Sequence, residues 1–400
     1  MKRPHEFRRH LVLRLIAVVV ATAPFAGIAG IGANSLSSCV CPEEEVIGEN
    51  CFTWPLEGSE DGGLGGSGNS SSGGMGGSGG GGGGNNVPAF PSKDEAKATF
   101  DGQPYSGRIL EVLSEPTQKE GACCYNMRYI PECIGGRPFV VDEQMVVAPL
   151  VYGASRGNGF SGATEAPDAS ALEFTDRAAL AAAWARDGQF EHASIASFGR
   201  FALSLLALGA PADLIADAHR AALDEVHHAR LCFDLASAYA GENIGPGAFP
   251  FAGRVDIVED LAEFAVRTVE EGCIGETMAA CVAAEQLTGA TDPAVRRALE
   301  IIIADESRHA ELAFRTVAWA ISTGGAHVRA AVARASAGAT LSMTALNEMD
   351  NNDLSAHGRL TANAEQAAKR RAFEDVVRPA LRSLLDASSE ALPHVAALPS

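Results

Sequence analysis

The chain has 400 residues, long enough to bury at least one sizeable core, and a formal net charge of −19. This acidic balance, with no basic patch downstream of the N-terminus, argues against nucleic acid as a partner, because nucleic-acid surfaces need clustered Lys and Arg. Aromatic residues make up only 6% of the chain and alanine is abundant, which favours helices over sheets.

The N-terminus has the pattern of an export signal. Four basic residues between Lys2 and Arg9 precede an uncharged apolar run from Leu15 to Gly32. This order predicts a signal segment over residues 1–38 and a location in the periplasm or cell envelope. A single-pass membrane anchor is the alternative, since about 20 apolar residues can span a bilayer. The pair Arg8-Arg9 leaves a twin-arginine route open beside the general one.

Most cysteines lie before the helical region. Residues 39–56 form a short cysteine-containing segment, and Leu36-Ser37-Ser38-Cys39 resembles a lipobox, so membrane attachment through a lipidated Cys39 stays open. In an exported protein the early cysteines predict disulfides. A zinc site is the other interpretation, although the sequence has no Cys-x-x-Cys pairs with spaced histidines. The disulfide candidates are Cys41, Cys51, Cys123, Cys124 and Cys133.

The composition then divides the chain. Residues 57–92 are dominated by Gly and Ser and predict a disordered linker. Residues 93–152 predict a small disulfide-stapled module with a few short strands, and residues 153–172 a connector. The remainder predicts an all-α main domain, with four long helices over 173–325 and further helices within 326–400. The expected helices span about 175–208, 212–240, 257–287, 293–324, 327–347 and 361–387, the first capped by Thr175-Asp176.

A motif is repeated in the second and fourth of these helices. The stretches LDEVHHARLCF (223–233) and ADESRHAELAF (304–314) share the pattern Asp-Glu-x-x-His. Residues three apart lie on the same side of a helix, so the glutamate and the histidine of each motif point the same way. One such pair is typical of a solvated helix face, whereas two pairs in matching contexts favour a shared site.

Helices one and three each carry a further glutamate near mid-helix, among small or apolar residues. A charge on a buried face is costly unless it is paired or binds a metal. Four inward carboxylates and two histidines from four helices predict a two-metal site. The predicted ligands are Glu191, Glu225, His228, Glu276, Glu306 and His309.

Neighbouring polar residues have simpler interpretations. We expect His227 to face solvent or to lie just outside the ligands. Glu270 and Glu271 are expected to form a charged face, and Glu311 to be exposed. The cysteines in the helical region are expected to be small core residues, with a redox role for Cys273 left open. These cysteines are Cys232, Cys273 and Cys281.

Over residues 173–322 the sequence resembles the ferritin-like di-iron carboxylate superfamily, including its rubrerythrin and di-iron oxygenase branches. The resemblance implies a ferritin-like four-helix bundle with two iron ions, or manganese, bridged by Glu225 and Glu306. It also implies that Asp224 and Asp305 accept hydrogen bonds from ligand histidines. Arg308 gives the second motif the Asp-Glu-x-Arg-His form of the oxygenase branches, and His227 in the first motif departs from it.

The resemblance implies an oxidoreductase that activates O2 or peroxide and uses an unknown reductant or substrate. It assigns no catalytic residue beyond the metal site. Two alternatives stay open at this point. One is an iron-binding or ferroxidase-type protein without an organic substrate. The other is a non-enzymatic envelope module in which the metal site is only structural.

Overall fold

The computed structural model describes residues 3–21, 46–53, 91–100, 108–119, 122–130, 136–141, 144–153, 159–160, 166–251, 255–339 and 354–390. The predicted linker over 57–92 and the N-terminal Cys39 and Cys41 lie almost wholly outside these residues. The chain divides into two compact units, one of Met1–Cys41 with Cys133–Ser400 and one of Pro42–Glu132. The larger unit begins with helix α1 (Pro4–Ala21).

The smaller unit is built on one antiparallel sheet. Strand β4 pairs with three others, and the order along the sheet is β1-β4-β2, with β3 also on β4. Cys124 on β4 is disulfide-bonded, and its backbone lies opposite Cys51 in the register. The side chains of Cys123 and Cys133 are outside the described residues. The elements are β1 (Val46–Thr53), α2 (Lys93–Phe100), β2 (Arg108–Val112), β3 (Thr117–Lys119) and β4 (Ala122–Ile130).

The larger unit is mainly helical, which confirms the all-α prediction for the main domain at that level. Short strands pair β5 with β6 and β7 with β8. In chain order its elements are β5 (Val140–Val141), β6 (Gln144–Met145), β7 (Leu150–Tyr152), α3 (Phe174–Ala207), α4 (Ala212–Ala240), β8 (Ile244–Pro246), α5 (Leu261–Thr268), a π-helical segment (Val269–Glu276), α6 (Thr277–Gly289), α7 (Pro293–Gly338), a 3₁₀ turn (Ser355–His357), α8 (Ala362–Ala372), a second π-helical segment (Phe373–Val377) and α9 (Arg378–Glu390).

The helices differ from the expected ones at two points. Helix α3 begins at Phe174, after an extended Glu173 that makes no side-chain cap, so Thr175-Asp176 lies inside the helix. The third helix is interrupted by the π-helical segment Val269–Glu276, which the sequence pattern did not indicate. Gly325, with φ 61° and ψ −143°, is not helical, so α7 consists of two helices joined at a kink, which confirms the expected break after residue 324. The Asp292 cap of α7 is present, and its side chain accepts hydrogen bonds from the backbone N–H groups of Ala294 and Val295.

Four helical segments pack together: α3 lies on α4, and α7 contacts α4, α5, α6 and the π-helical segment between them. Apolar side chains form one cluster that includes Trp184, Phe233 and Leu299. A second cluster includes Phe201 and Leu312, on the other side of mid-helix along α3 and α7. The stretch between the two clusters carries the repeated motifs, so the polar residues of the motifs are enclosed by apolar layers.

Helix α1 packs on α7 and α9. Leu11 and Leu15 are buried in the helical core. The guanidinium of Arg8 pairs with Glu285 at 2.7 Å and Asp375 at 3.1 Å. The described part of the predicted signal segment is therefore a packed helix, while the rest of its apolar run lies outside the described residues. Among the helices of the described residues, none combines the length and apolar character needed to cross a membrane.

Candidate metal centre

The repeated motifs place their glutamate and histidine on the inner faces of α4 and α7, one helical turn apart. Glu191 projects from the middle of α3, and Glu276 is the last residue of the π-helical segment. The structure thus takes at least one side chain from each of the four packed helical segments.

All six predicted ligands come together. They form two groups of four, and within each group the candidate ligand atoms lie within 4.8 Å of one another. Glu225 and Glu306 belong to both groups. We call the side with Glu191 and His228 the His228 half, and the side with Glu276 and His309 the His309 half. Two overlapping groups that share two carboxylates are the arrangement that holds a pair of metal ions, and this buried cluster can hold metal.

Each histidine turns the same ring nitrogen towards the shared carboxylates. His228 Nδ1 lies 3.5 Å from Glu225 Oε2 and 3.3 Å from Glu306 Oε1. His309 Nδ1 lies 3.0 Å from Glu225 Oε1 and 3.6 Å from Glu306 Oε1. Both shared glutamates therefore touch both histidines, as bridging groups must.

The other ring nitrogen of each histidine contacts an aspartate, and the two contacts are crossed. His228 Nε2 lies 3.1 Å from Asp305, and His309 Nε2 lies 3.2 Å from Asp224. Each motif thus supplies the aspartate that orients the histidine of the other motif. Arg308 ties the two aspartates together, at 3.1 Å from Asp224 and 2.6 Å from Asp305.

The site is buried, and its polar atoms are incompletely hydrogen-bonded. The side chains of Glu225, His228, Glu306 and His309 are at most 3% exposed. In the described part of the chain, four of their atoms are buried without a hydrogen-bond partner, which is rare for polar groups in native proteins. These atoms are Glu225 Oε2, His228 Nδ1, Glu306 Oε2 and His309 Nδ1. Carboxylate oxygens and imidazole nitrogens that face one another without hydrogen bonds are typical of a set of metal ligands.

Charge is distributed unevenly among the carboxylates. Burial would raise the pKa of Glu306, but the neighbouring imidazoles of His228 and His309 outweigh it and hold the pKa below its usual range. The pKa of Glu225 is lowered for the same reason. Burial raises the pKa of Glu191 well above its usual value. Burial, together with the neighbouring Glu306, raises the pKa of Glu276 in the same way.

The pKa values of the two histidines are raised even though both side chains are buried. Desolvation alone would lower their pKa values, but the surrounding carboxylates raise the pKa of both His228 and His309 well above the usual value. These shifts favour a proton on each histidine beside the shared carboxylates in the metal-free protein. A bound cation would replace those protons.

The two halves differ at the terminal glutamate, the one that each half does not share with the other. The side chain of Glu191 is 20% exposed, and its ion pair is with His228 at 3.7 Å. Glu276 is 1% exposed and accepts a hydrogen bond from Arg137 Nε at 3.2 Å. The His228 half therefore reaches the surface, and the His309 half is closed by an arginine.

Sequence reasoning missed the residues that close the His309 half. Glu271, expected on a charged face, is buried and pairs with Arg200 at 3.1 Å and Arg137 at 3.8 Å. In an α-helix residues five apart differ by about 140° in direction. The π-helical geometry, with its longer hydrogen-bonded turn, turns Glu271 and Glu276 towards the same arginine. The nearby glycines were the one available indication.

The glycines let the backbone before α3 come close to the π-helical segment. The N–H of Gly136 donates to the carbonyl of Gly275 at 3.1 Å. A Cβ on Gly275 would lie 2.2 Å from the carbonyl oxygen of Gly136, and one on Gly272 would lie 2.6 Å from Arg137 Nη2. Tight packing, rather than a cavity, is the role of these glycines.

The remaining residues near the motifs are peripheral. His227 is exposed, as expected. The three cysteines of the helical region are buried free thiols, and burial raises the pKa of each. The three buried cysteines are Cys232, Cys273 and Cys281. Glu311 was expected to be exposed, but its side chain is only 20% accessible and pairs with Arg14 at 2.6 Å.

Comparison with known proteins adds no identity. No family model matches the chain, and no curated protein and no solved structure is similar to it.

Proposed function

We propose that this protein is an exported di-iron carboxylate oxidoreductase of the ferritin-like superfamily that acts on O2 or peroxide. The observation that carries the proposal is the pair of four-residue groups that share Glu225 and Glu306. Catalytic metal pairs are held about 3.5–4 Å apart by shared ligands, and two bridging carboxylates meet that need.

The donor set suits iron or manganese. Carboxylate oxygens and imidazole nitrogens without thiolates favour these metals, whereas structural zinc sites are tetrahedral and usually include cysteine. The four unpaired atoms of the site are the positions where such ions would be held. Held by these residues, a pair of such ions would supply two-electron chemistry towards O2 or peroxide.

The protein residues have three tasks in this reaction. The apolar clusters on both sides exclude water from the buried carboxylates, which strengthens every charge interaction within the site. Asp305 and Asp224 hold the Nε2 edge of the histidines, so that each Nδ1 faces the metal positions. The exposed edge of Glu191 gives a small oxidant its approach to the His228 half.

The test uses the full chain purified under anaerobic conditions. We expect about two iron ions per chain and an absorption change when O2 is added. With ascorbate in excess, we expect peroxide consumption to continue well beyond the amount of bound iron. Glu225→Gln should abolish both, and Glu300→Gln should change neither, because Glu300 is an exposed residue outside the site.

The alternatives give different results. One round of iron oxidation that then stops would favour a ferroxidase-type protein without an organic substrate. A chain that binds no metal, or only a redox-silent ion, would overturn the oxidoreductase proposal and leave a structural module.

We also propose that the protein works outside the cytoplasm. The disulfide at Cys124 supports this location, because disulfides persist in oxidising compartments. Fractionation of the native host should place the protein in the periplasm or envelope, with Cys123, Cys124 and Cys133 oxidised. Free thiols at all three positions in protein from the native host would contradict it.

A further inference from the structure

Arg137 is the one buried cation in contact with a candidate metal ligand in the described residues. It belongs to a strap, residues 136–141 and 144–148, that crosses the inner side of α3 and the π-helical segment. Side chains of α3 hold the strap: Ser194 donates to the carbonyl of Arg137 at 2.9 Å, and Gln189 donates to that of Ala148 at 2.8 Å.

The guanidinium of Arg137 is fixed from several sides. It lies over the rings of Phe198 and Phe201, at 4.6 Å and 4.3 Å from their centroids. Its Nε donates to Glu276 Oε1 at 3.2 Å, and its Nη1 lies 3.8 Å from Glu271. Since Arg200 donates to Glu271 at 3.1 Å, Glu276 is the closer partner left for Arg137.

In the described part of the chain, two arginines have buried nitrogens without a hydrogen-bond partner: Nη2 of Arg137, and Nε and Nη2 of Arg359. Of these two, Arg359 lies over Trp184 and pairs with Asp187, whereas Arg137 contacts a candidate metal ligand. The protein thus keeps a costly cation where an apolar side chain would fill the space between the two rings. The contact with Glu276 is the feature that such a replacement would remove.

We propose that Arg137 is a positioning residue that holds one oxygen of Glu276, so that this carboxylate offers only its other oxygen to a metal in the His309 half. The inference rests on the proposed metal site. Glu191, the corresponding residue of the His228 half, has no such restraint: in the described residues no arginine or lysine lies within ion-pair distance of it. One terminal carboxylate is therefore fixed and the other is free to change its mode of binding.

The sign of one measurement separates positioning from simple charge. Removing a nearby cation should strengthen metal binding if Arg137 acts only through its charge. Removing the group that orients a ligand should weaken it, typically 10–100-fold. We therefore expect Arg137→Met to weaken one of two metal-binding steps about tenfold or more.

The probe is Co²⁺ titrated into metal-free full-length protein, followed by calorimetry and by the visible absorption of the bound ion. We expect wild type to bind two Co²⁺ ions, and His309→Ala to identify the step that belongs to the His309 half. Arg137→Met should weaken that step and alter its absorption while leaving the other step unchanged. Arg359→Met is the matched control, because Arg359 also lies over an aromatic ring, at 3.9 Å from that of Trp184, and pairs with Asp187 at 2.7 Å, away from the strap and from Glu276.

Three results would overturn the inference: an unchanged isotherm and spectrum in Arg137→Met, stronger binding in that variant, or an equal change in Arg359→Met. If Arg137→Met does not fold, Arg137→Lys is measured instead, because lysine keeps the charge but not the planar fork between Glu271 and Glu276. Weakening of the His309 step then supports positioning, and an unchanged step overturns it. Wild type that binds no Co²⁺ would instead refute the proposed metal site itself.

Discussion

The two halves of the candidate metal centre have the same donors but different surroundings. Each has one histidine and one terminal glutamate beside the shared Glu225 and Glu306. The His228 half rests on two regular helices and leaves Glu191 partly exposed. The His309 half rests on a π-helical segment and is closed by Arg137. The repeated motif therefore gives both halves the same ligands, but the helices that supply Glu191 and Glu276 differ in geometry and exposure.

Removing a shared carboxylate should have the largest effect, because it serves both halves. We expect Glu306→Ala to lose both metal ions, whereas His309→Ala should lose mainly one and keep the ion of the His228 half. At a free metal concentration of about 100 times the Kd, each bound ion stabilises the fold by about 2.7 kcal/mol. Metal analysis and thermal midpoints of the loaded proteins measure both effects.

The control for that comparison is Glu300→Ala. Glu300 lies on the same helix with half of its side chain exposed, whereas Glu311 pairs with Arg14 and would disturb α1. Equal metal content in Glu306→Ala, His309→Ala and Glu300→Ala would contradict the proposed metal site.

The pH dependence should treat the two halves alike, because their charges match even though their surroundings differ. His228 and His309 have pKa values raised in the folded, metal-free protein. The stability that they contribute is therefore fully present below the unfolded pKa near 6.5 and is lost as the pH rises through the folded values. The raised pKa values of Glu191 and Glu276 act in the same direction above pH 4.5.

We therefore expect metal-free protein to be less stable at pH 8 than at pH 5.5. Because these groups interact, they titrate together, and the loss should appear as one continuous fall of the thermal midpoint with rising pH. Metal-loaded protein should show the reverse trend, because binding displaces the histidine protons. Thermal midpoints at both pH values, with and without Fe²⁺ or Mn²⁺, measure this. A metal-free protein that gains stability with rising pH would refute it.

The crossed aspartates give a test that assigns each one to a half. Asp224 lies in the first motif but contacts His309, so Asp224→Asn should weaken metal binding in the His309 half by about 10–100-fold. Its effect should be more strongly non-additive with His309→Ala than with His228→Ala, because Asp224 contacts His309 directly and reaches His228 only through Arg308 and Asp305. Asp305→Asn should show the opposite pattern. Coupling of each aspartate to the histidine of its own motif would contradict the crossed geometry.

The sequence predicts the part of this site that obeys helical periodicity. The motif spacing of three residues, and the lone glutamates on apolar faces, were enough to name six residues that the fold brings together. The π-helical segment could not be predicted, because its sequence contains no proline that would signal a break in the helix. It nevertheless changes the direction in which residues such as Glu271 point. Arg137 could not be predicted either, since it reaches the site from outside the four helices and no local pattern marks that approach.

The close approach of strap and π-helical segment gives the smallest and most local test. Gly275→Ala places a Cβ 2.2 Å from the carbonyl oxygen of Gly136, a backbone atom that cannot rotate away. Forcing extra volume into such a contact costs about 1–3 kcal/mol, and the resulting shift should carry Glu276 and Arg137 with it. We expect a lower thermal midpoint and weaker metal binding in the His309 half alone.

Gly199 provides the matched control for this substitution. It lies inside α3, and a Cβ there would meet nothing within 4 Å. Alanine is favoured over glycine in a helix by about 0.8–1.0 kcal/mol, so Gly199→Ala should leave both metal-binding steps unchanged and raise the midpoint slightly. If Gly275→Ala behaved in the same way, the strap would not press on the π-helical segment. The difference between the two halves would then arise from the exposure of Glu191 alone.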